Sequence, residues 1–155
     1  MLDDPTTTRS SHRYLSYADL IALRWRDFLL LVARVLLGWI YLQSGFSKVM
    51  DPAGFAARLV PRGVPEWLGL IAPFVEFIGG LALVLGVGGR YAALLLILFT
   101  IVATWTSHLF WTFPEAQRGQ QSTQFWKNVT MMGGLLAMFV TGPGRYSLDR
   151  WLSRR

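Results

Sequence analysis

The sequence predicts an all-α membrane fold: a four-transmembrane-helix bundle with both termini cytoplasmic. Short interfacial helices are expected at the N-terminus, in the first outer loop and at the C-terminus. Three observations point to it. Four long stretches are apolar and almost uncharged. Arg34 is the only charge between Asp27 and Lys48, and Glu76 the only one between Glu66 and Arg90; none falls between Arg90 and Glu115, or between Lys127 and Arg145. About 20 apolar residues suffice to cross the roughly 30 Å hydrocarbon core of a bilayer. Charged residues are scarce, at 15% of the chain against roughly 25% in soluble domains. Finally, Arg and Lys divide unevenly. Arg9, Arg13, Arg24, Arg26, Arg90, Arg145, Arg150, Arg154 and Arg155 fall on one side, against Lys48, Arg58, Arg62, Arg118 and Lys127 on the other. The positive-inside bias makes the richer side cytoplasmic.

Residues 1–12 are polar and predict a disordered tail; residues 13–155 form a single membrane domain. Residues 13–26 mix apolar and basic side chains, which fits an interfacial helix or an extension of the first span. No small-residue cleavage site follows the first apolar run, so that span is expected to be retained. Span 1 covers residues 28–49. Asp51–Pro52 then opens a short helix, Asp as N-cap and Pro in the first turn, which Pro61, Gly63 and Pro65 stop. Span 2 covers residues 67–87, with Pro73 inside. Gly86, Gly88 and Gly89 allow only a tight hairpin into Arg90, so spans 2 and 3 are antiparallel neighbours. Span 3 covers residues 91–110, a polar loop follows, and span 4 covers residues 125–141 up to Gly142–Pro143–Gly144. Residues 146–153 form the C-terminal interfacial segment. Trp67, Trp105, Trp111 and Trp126 are expected near the outer interface, and Trp25 and Trp151 near the inner one.

Composition also excludes chemistry. There is no cysteine, so thiolate metal sites, iron–sulfur clusters and disulfides are ruled out in this chain. His12 and His108 lie at opposite ends of different segments, and no metal, haem or flavin site is apparent. The net charge of +6 sits at span ends, where it suits anionic lipid headgroups rather than nucleic acid.

The chemistry concentrates in the intramembrane polar residues. A lone charge at the bilayer centre costs about 2.5–3.5 kcal/mol, so Arg34 and Glu76 are expected to face each other across spans 1 and 2. Two roles stay open: a buried ion pair fixing helix packing, or a proton or ligand site at Glu76 tuned by Arg34. Arg34, Gly38, Tyr41, Gly45 and Lys48 share one helical face, which turns that face toward protein or a cavity. A second group gathers at the outer ends: Lys48, Asp51, Glu66, His108, Lys127 and Asn128, framed by Trp105, Trp111 and Trp126. These are either solvated interfacial groups or the walls of a head-group pocket, in which His108 can accept a proton near neutral pH. The candidate catalytic residues are therefore Glu76, Arg34 and His108; the candidate ligand-binding residues are Tyr41, Lys48, Trp105, Lys127 and Asn128.

Dispersed elements occur in a recognisable order. They are Arg34 in span 1, Gly45-x-x-Lys48-x-x-Asp51-Pro52 at the loop, and Glu76 before Gly79–Gly80. His108 then ends span 3, Lys127–Asn128 opens span 4, and G-P-G-R-Y-S-L-D runs over 142–149. Across residues 28–150 the chain resembles the DoxX family of small bacterial four-span membrane proteins. The resemblance implies a multi-pass inner-membrane location. It also implies a role as an integral membrane component of a quinone-linked redox or oxidative-stress system. A quinone-like molecule would bind between helices, and electrons would come from another membrane or periplasmic redox protein. Two other functions stay open: a proton-coupled small-molecule carrier, which would have to act as a homodimer, and a non-catalytic scaffold for a membrane enzyme complex.

Overall fold

A computed structural model describes residues 17–154. The expected tail at 1–12, and residues 13–16 of the first interfacial helix, lie outside the described residues. The described chain runs through α1 (residues 17–24), α2 (Arg26–Val49), α3 (Pro52–Leu59), α4 (Glu66–Leu85), α5 (Gly89–Ser107), α6 (Glu115–Thr141) and α7 (Leu148–Leu152). Single 3-10 turns at Val60–Arg62 and Phe110–Thr112 interrupt the connections. The fold is all-helical, with no strand among the described residues.

Three segments are long and apolar enough to cross a membrane: Arg26–Val49, Glu66–Leu85 and Gly89–Thr112. The fourth expected span differs. Helix α6 is the longest, at 27 residues, but its apolar part starts only at Phe125. The segment EAQRGQQSTQ, expected as a polar loop, is helical from Glu115 onward. Pro114 precedes it, Glu115 suits the positive end of the helix dipole, and Gly119 alone is too weak a breaker to stop it.

Glycine sets the α2–α4 packing. A Cβ on Gly45 would stand 2.6 Å from the Phe77 amide nitrogen, and one on Gly80 would stand 2.8 Å from the Tyr41 Cβ. Without those side chains the two helices approach backbone to backbone, as small residues permit in lipid. Helix α3 is capped by Asp51, whose carboxylate accepts from the Gly54 amide at 2.9 Å. It lies on the start of α4, where Ala56 is fully buried and a Cβ on Gly69 would meet it at 2.7–2.8 Å. Gly86 and Gly88 turn α4 into α5 with φ of +68° and +54°, values that glycine adopts without strain. Pro73 stays inside α4 and is fully buried.

The packed interior is small: Tyr41, Leu83, Ala92, Ala93, Leu96, Ile97, Leu135 and Met138. Many large apolar side chains look outward, among them Leu36, Ile78, Leu98 and Val140. In water such a surface would be untenable; in hydrocarbon it is the expected one.

Candidate functional site

Two buried charge centres lie at opposite ends of the α2–α4 seam. They are not the expected pair. In the antiparallel register set by Tyr41 against Gly80 and Gly45 against Phe77, Glu76 lies opposite Gly45, whereas Arg34 lies beside Gly86. Measured from the shared α3 end at about 1.5 Å per residue, Arg34 is about 22 Å along α2 and Glu76 only about 15 Å along α4. The expectation that Arg34 faces Glu76 is therefore corrected.

Glu76 pairs instead with Lys48, whose Nζ donates to Oε2 at 2.6 Å. Glu76 is 5% exposed. Lys48 also donates to Ser44 Oγ at 2.8 Å. Beside this pair is a cavity of about 120 Å³, lined by Tyr41, Ser44, Lys48, Glu76, Thr100, His108, Lys127 and Asn128, with Ile40, Phe99, Ala103 and Met131 as apolar walls. Helices α2, α4, α5 and α6 all contribute, together with the residue that ends α5. The chamber thus gathers Glu76, His108, Tyr41, Lys48, Lys127 and Asn128 from the sequence candidates. It leaves out Arg34. It also leaves out Trp105, which is 71% exposed on the outer face of α5.

The hydrogen-bond inventory fixes where protons sit. Thr100 Oγ1 donates to the Leu96 carbonyl at 2.6 Å. The Tyr41 hydroxyl, 2.7 Å away, must therefore donate to Thr100, which leaves its own oxygen as an acceptor. Thr104 likewise donates to the Thr100 carbonyl and accepts from Asn128 Nδ2 at 2.9 Å. One amide proton of Asn128 and one ammonium proton of Lys48 remain uncommitted. His108 Nδ1 lies 2.8 Å from Gln121 Oε1. An amide oxygen only accepts, so Nδ1 carries the proton and Nε2 is the acceptor of the neutral ring. Lys127 donates to Gln124 Oε1.

A second cavity abuts the chamber. It is an apolar groove of about 510 Å³ between α4 and α5, and it shares Lys48, Phe99, Ala103 and His108 with the chamber.

Arg34 belongs to a different device. It is 1% exposed and donates through Nη2 to the Tyr146 carbonyl. Its Nε and Nη1 find no hydrogen-bond partner among the described residues, and Asp149 supplies the negative charge that acts on it. The two oxygens of Asp149 accept from the Gly88 and Gly89 amides at 2.7 and 3.0 Å, and its own amide donates to the Gly86 carbonyl at 3.1 Å. A carboxylate on the first amides of α5 both caps that helix and complements its dipole. The Arg145 amide adds a bond to Asp27 Oδ1 at 2.9 Å. The run over 142–149 is thus a latch that ties the chain end to α2 and to the α4–α5 hairpin. Sequence reasoning placed Asp149 in an interfacial segment; its capping role is carried by a turn 60 residues away and leaves no local signal.

Fold and site together define a class: a small helical membrane protein with a small charged chamber inside its bundle. The DoxX family model matches residues 29–109, and the chain belongs to the DoxX family. It is similar to the inner membrane protein YqjF of Escherichia coli K12, 36% identical over 83% of this chain and 95% of the relative. It is similar to the inner membrane protein YphA of the same organism, 34% identical over 83% and 97% of the two chains. The membrane protein Rv3486 of Mycobacterium tuberculosis is 30% identical over 79% of this chain and 80% of its own. No solved structure matches. The protein is a multi-pass inner membrane protein and sits in a lipid bilayer.

Proposed function

We propose that the protein is an integral membrane component of a quinone-linked redox system, and that it binds a quinone-like molecule between its helices. In this reading α6 is a fourth crossing and both termini are cytoplasmic, as the Arg and Lys distribution favours. The carrying observation is the adjacency of a polar chamber and an apolar groove across Lys48 and His108. A lipophilic quinone has a polar ring and an apolar tail, and the two compartments suit the two parts.

The residues present fit such a ligand. The uncommitted protons of Lys48 and Asn128 can donate to a carbonyl oxygen. The Tyr41 oxygen and His108 Nε2 can accept from a hydroxyl. The Lys48–Glu76 pair can hold a proton beside the bound ring, and Lys48, with 26% of its side chain exposed, links the chamber to the interface. A quinone takes up two electrons and two protons on reduction. The electrons would come from a partner protein, since this chain offers no redox group beyond Tyr and Trp.

A photoreactive quinone analogue tests this. Irradiated with the protein purified in mild detergent, it should label peptides of α4 and α5, be displaced by excess unmodified quinone, and lose at least tenfold in yield in Glu76→Gln. Labelling spread over the outward surface of α6, and indifferent to Glu76→Gln, would overturn the reading.

A further inference from the structure

The apolar groove has a chemistry of its own that the chamber does not explain. It runs along α5 from Ser107 and His108 to Leu95, and along α4 down to Val75. At 1.5 Å per residue this is about 18 Å, close to half of a roughly 30 Å hydrocarbon core. Its walls thus match the depth of one leaflet. The deep part is lined by apolar side chains such as Val75, Leu95 and Leu98, whereas its α3 end carries Lys48, Arg58, Arg62 and His108.

The sign of that end is one-sided. No carboxylate lines the groove. Lys48 is already committed to Glu76, but Arg58 and Arg62 make no ion pair among the described residues. Arg58 lies 6.0 Å from the Phe55 ring centroid, so α3 holds it at the mouth through the aromatic face. The positive charges of Lys127, Arg62 and Lys48 all act on His108. Two exposed guanidiniums above an apolar trough of leaflet depth suit a phosphate with an acyl chain below it, since guanidinium matches phosphate by forked donation.

We propose that this groove is a binding site for one acidic phospholipid of the bilayer, its phosphate held by Arg58 and Arg62 and an acyl chain laid between α4 and α5. The site shares its groove with the tail compartment of the redox reading but does not depend on a quinone being bound. A quinone tail would compete for the same walls, but Arg58 and Arg62 have no role in holding a quinone ring.

Native mass spectrometry of the detergent-purified protein is the test, with phosphatidylglycerol and phosphatidylethanolamine of matched chains offered at equal concentration. One phosphatidylglycerol per chain should be retained, at least fivefold over the zwitterionic lipid. Arg58→Gln/Arg62→Gln should lower retention at least tenfold and Arg58→Lys/Arg62→Lys should restore most of it, while Arg118→Gln leaves it unchanged. Leu98→Trp, which fills the groove from its exposed side, should expel the lipid with both arginines intact. Glu76→Gln should not lower lipid retention, which separates a failure here from a failure of the quinone reading. Equal retention of the two lipids, undiminished retention in Arg58→Gln/Arg62→Gln, or displacement by a free fatty acid at equal concentration would each overturn the assignment.

Discussion

At one end of the α2–α4 seam a buried arginine is held by backbone; at the other a buried glutamate is held by a lysine. The difference is in what surrounds them. Arg34 is packed against Gly86, Ser147 and the Tyr146 carbonyl, and the carboxylate that acts on it spends both oxygens on amides. Arg34 lines neither the chamber nor the apolar groove, and the surface cleft of about 540 Å³ that runs past its neighbours Tyr146 and Ser147 has apolar walls at Leu31, Val84 and Leu85. Glu76 sits on the wall of a chamber whose other polar groups keep spare donors and acceptors. Ions in hydrocarbon need partners, yet the nature of the partner decides whether the charge can do chemistry. The run over 142–149 locks one centre, whereas the other borders a polar chamber.

Perturbing each centre should separate them. The largest effect is expected for Lys48→Met, which strands the buried Glu76 carboxylate. Thermal unfolding in detergent should show a loss toward the lower end of the roughly 3–5 kcal/mol seen for broken buried pairs. Glu76→Gln should cost less, because Lys48 keeps 26% of its side chain exposed and can turn its ammonium toward the interface. A larger penalty for Glu76→Gln than for Lys48→Met would reverse the assignment of which partner is buried.

Next comes Gly45→Leu. Its side chain would run into Phe77 and part α2 from α4, at a cost of about 1–3 kcal/mol and with the chamber lost. A full-strength quinone label in this variant would show that the chamber is not the site. Asp149→Asn should cost about 1–2 kcal/mol through the weakened cap of α5, with faster hydrogen exchange at Gly88 and Gly89 and no change in labelling per folded molecule. Thr100→Val removes the acceptor for Tyr41 and should cost about 1 kcal/mol. Trp105→Ala should leave both stability in the core and ligand labelling unchanged, since the ring faces outward.

Much of this was legible in the residues. Runs with one charge or none marked α2, α4 and α5, and Asp51–Pro52 marked α3, because lipid and helix capping impose strong local rules. The polar face through Tyr41 and Lys48, together with His108 and Lys127–Asn128, pointed to residues that the fold brings around one chamber. Helical spacing fixes a face, and antiparallel topology fixes which ends meet. What stayed hidden depends on register. The depth of Arg34 relative to Glu76 is set by where Gly45 meets Phe77, and α3 shifts the start of α4 in a way spacing along one helix does not encode. The helical start of α6 was masked by its polarity, since EAQRGQQSTQ has loop composition but no strong breaker. Trp105 was placed at the pocket by height alone, without the rotation that turns it outward.

The most direct test of the central claim is a pair of double-mutant cycles on unfolding free energy in detergent, one coupling Lys48 with Glu76 and the other Arg34 with Glu76. Residues in contact couple, whereas distant ones add within about 0.3–0.5 kcal/mol. Lys48 and Glu76 should couple by at least about 1 kcal/mol, whereas Arg34 and Glu76 should be additive. Strong coupling of Arg34 to Glu76, with Lys48 additive, would contradict the claim.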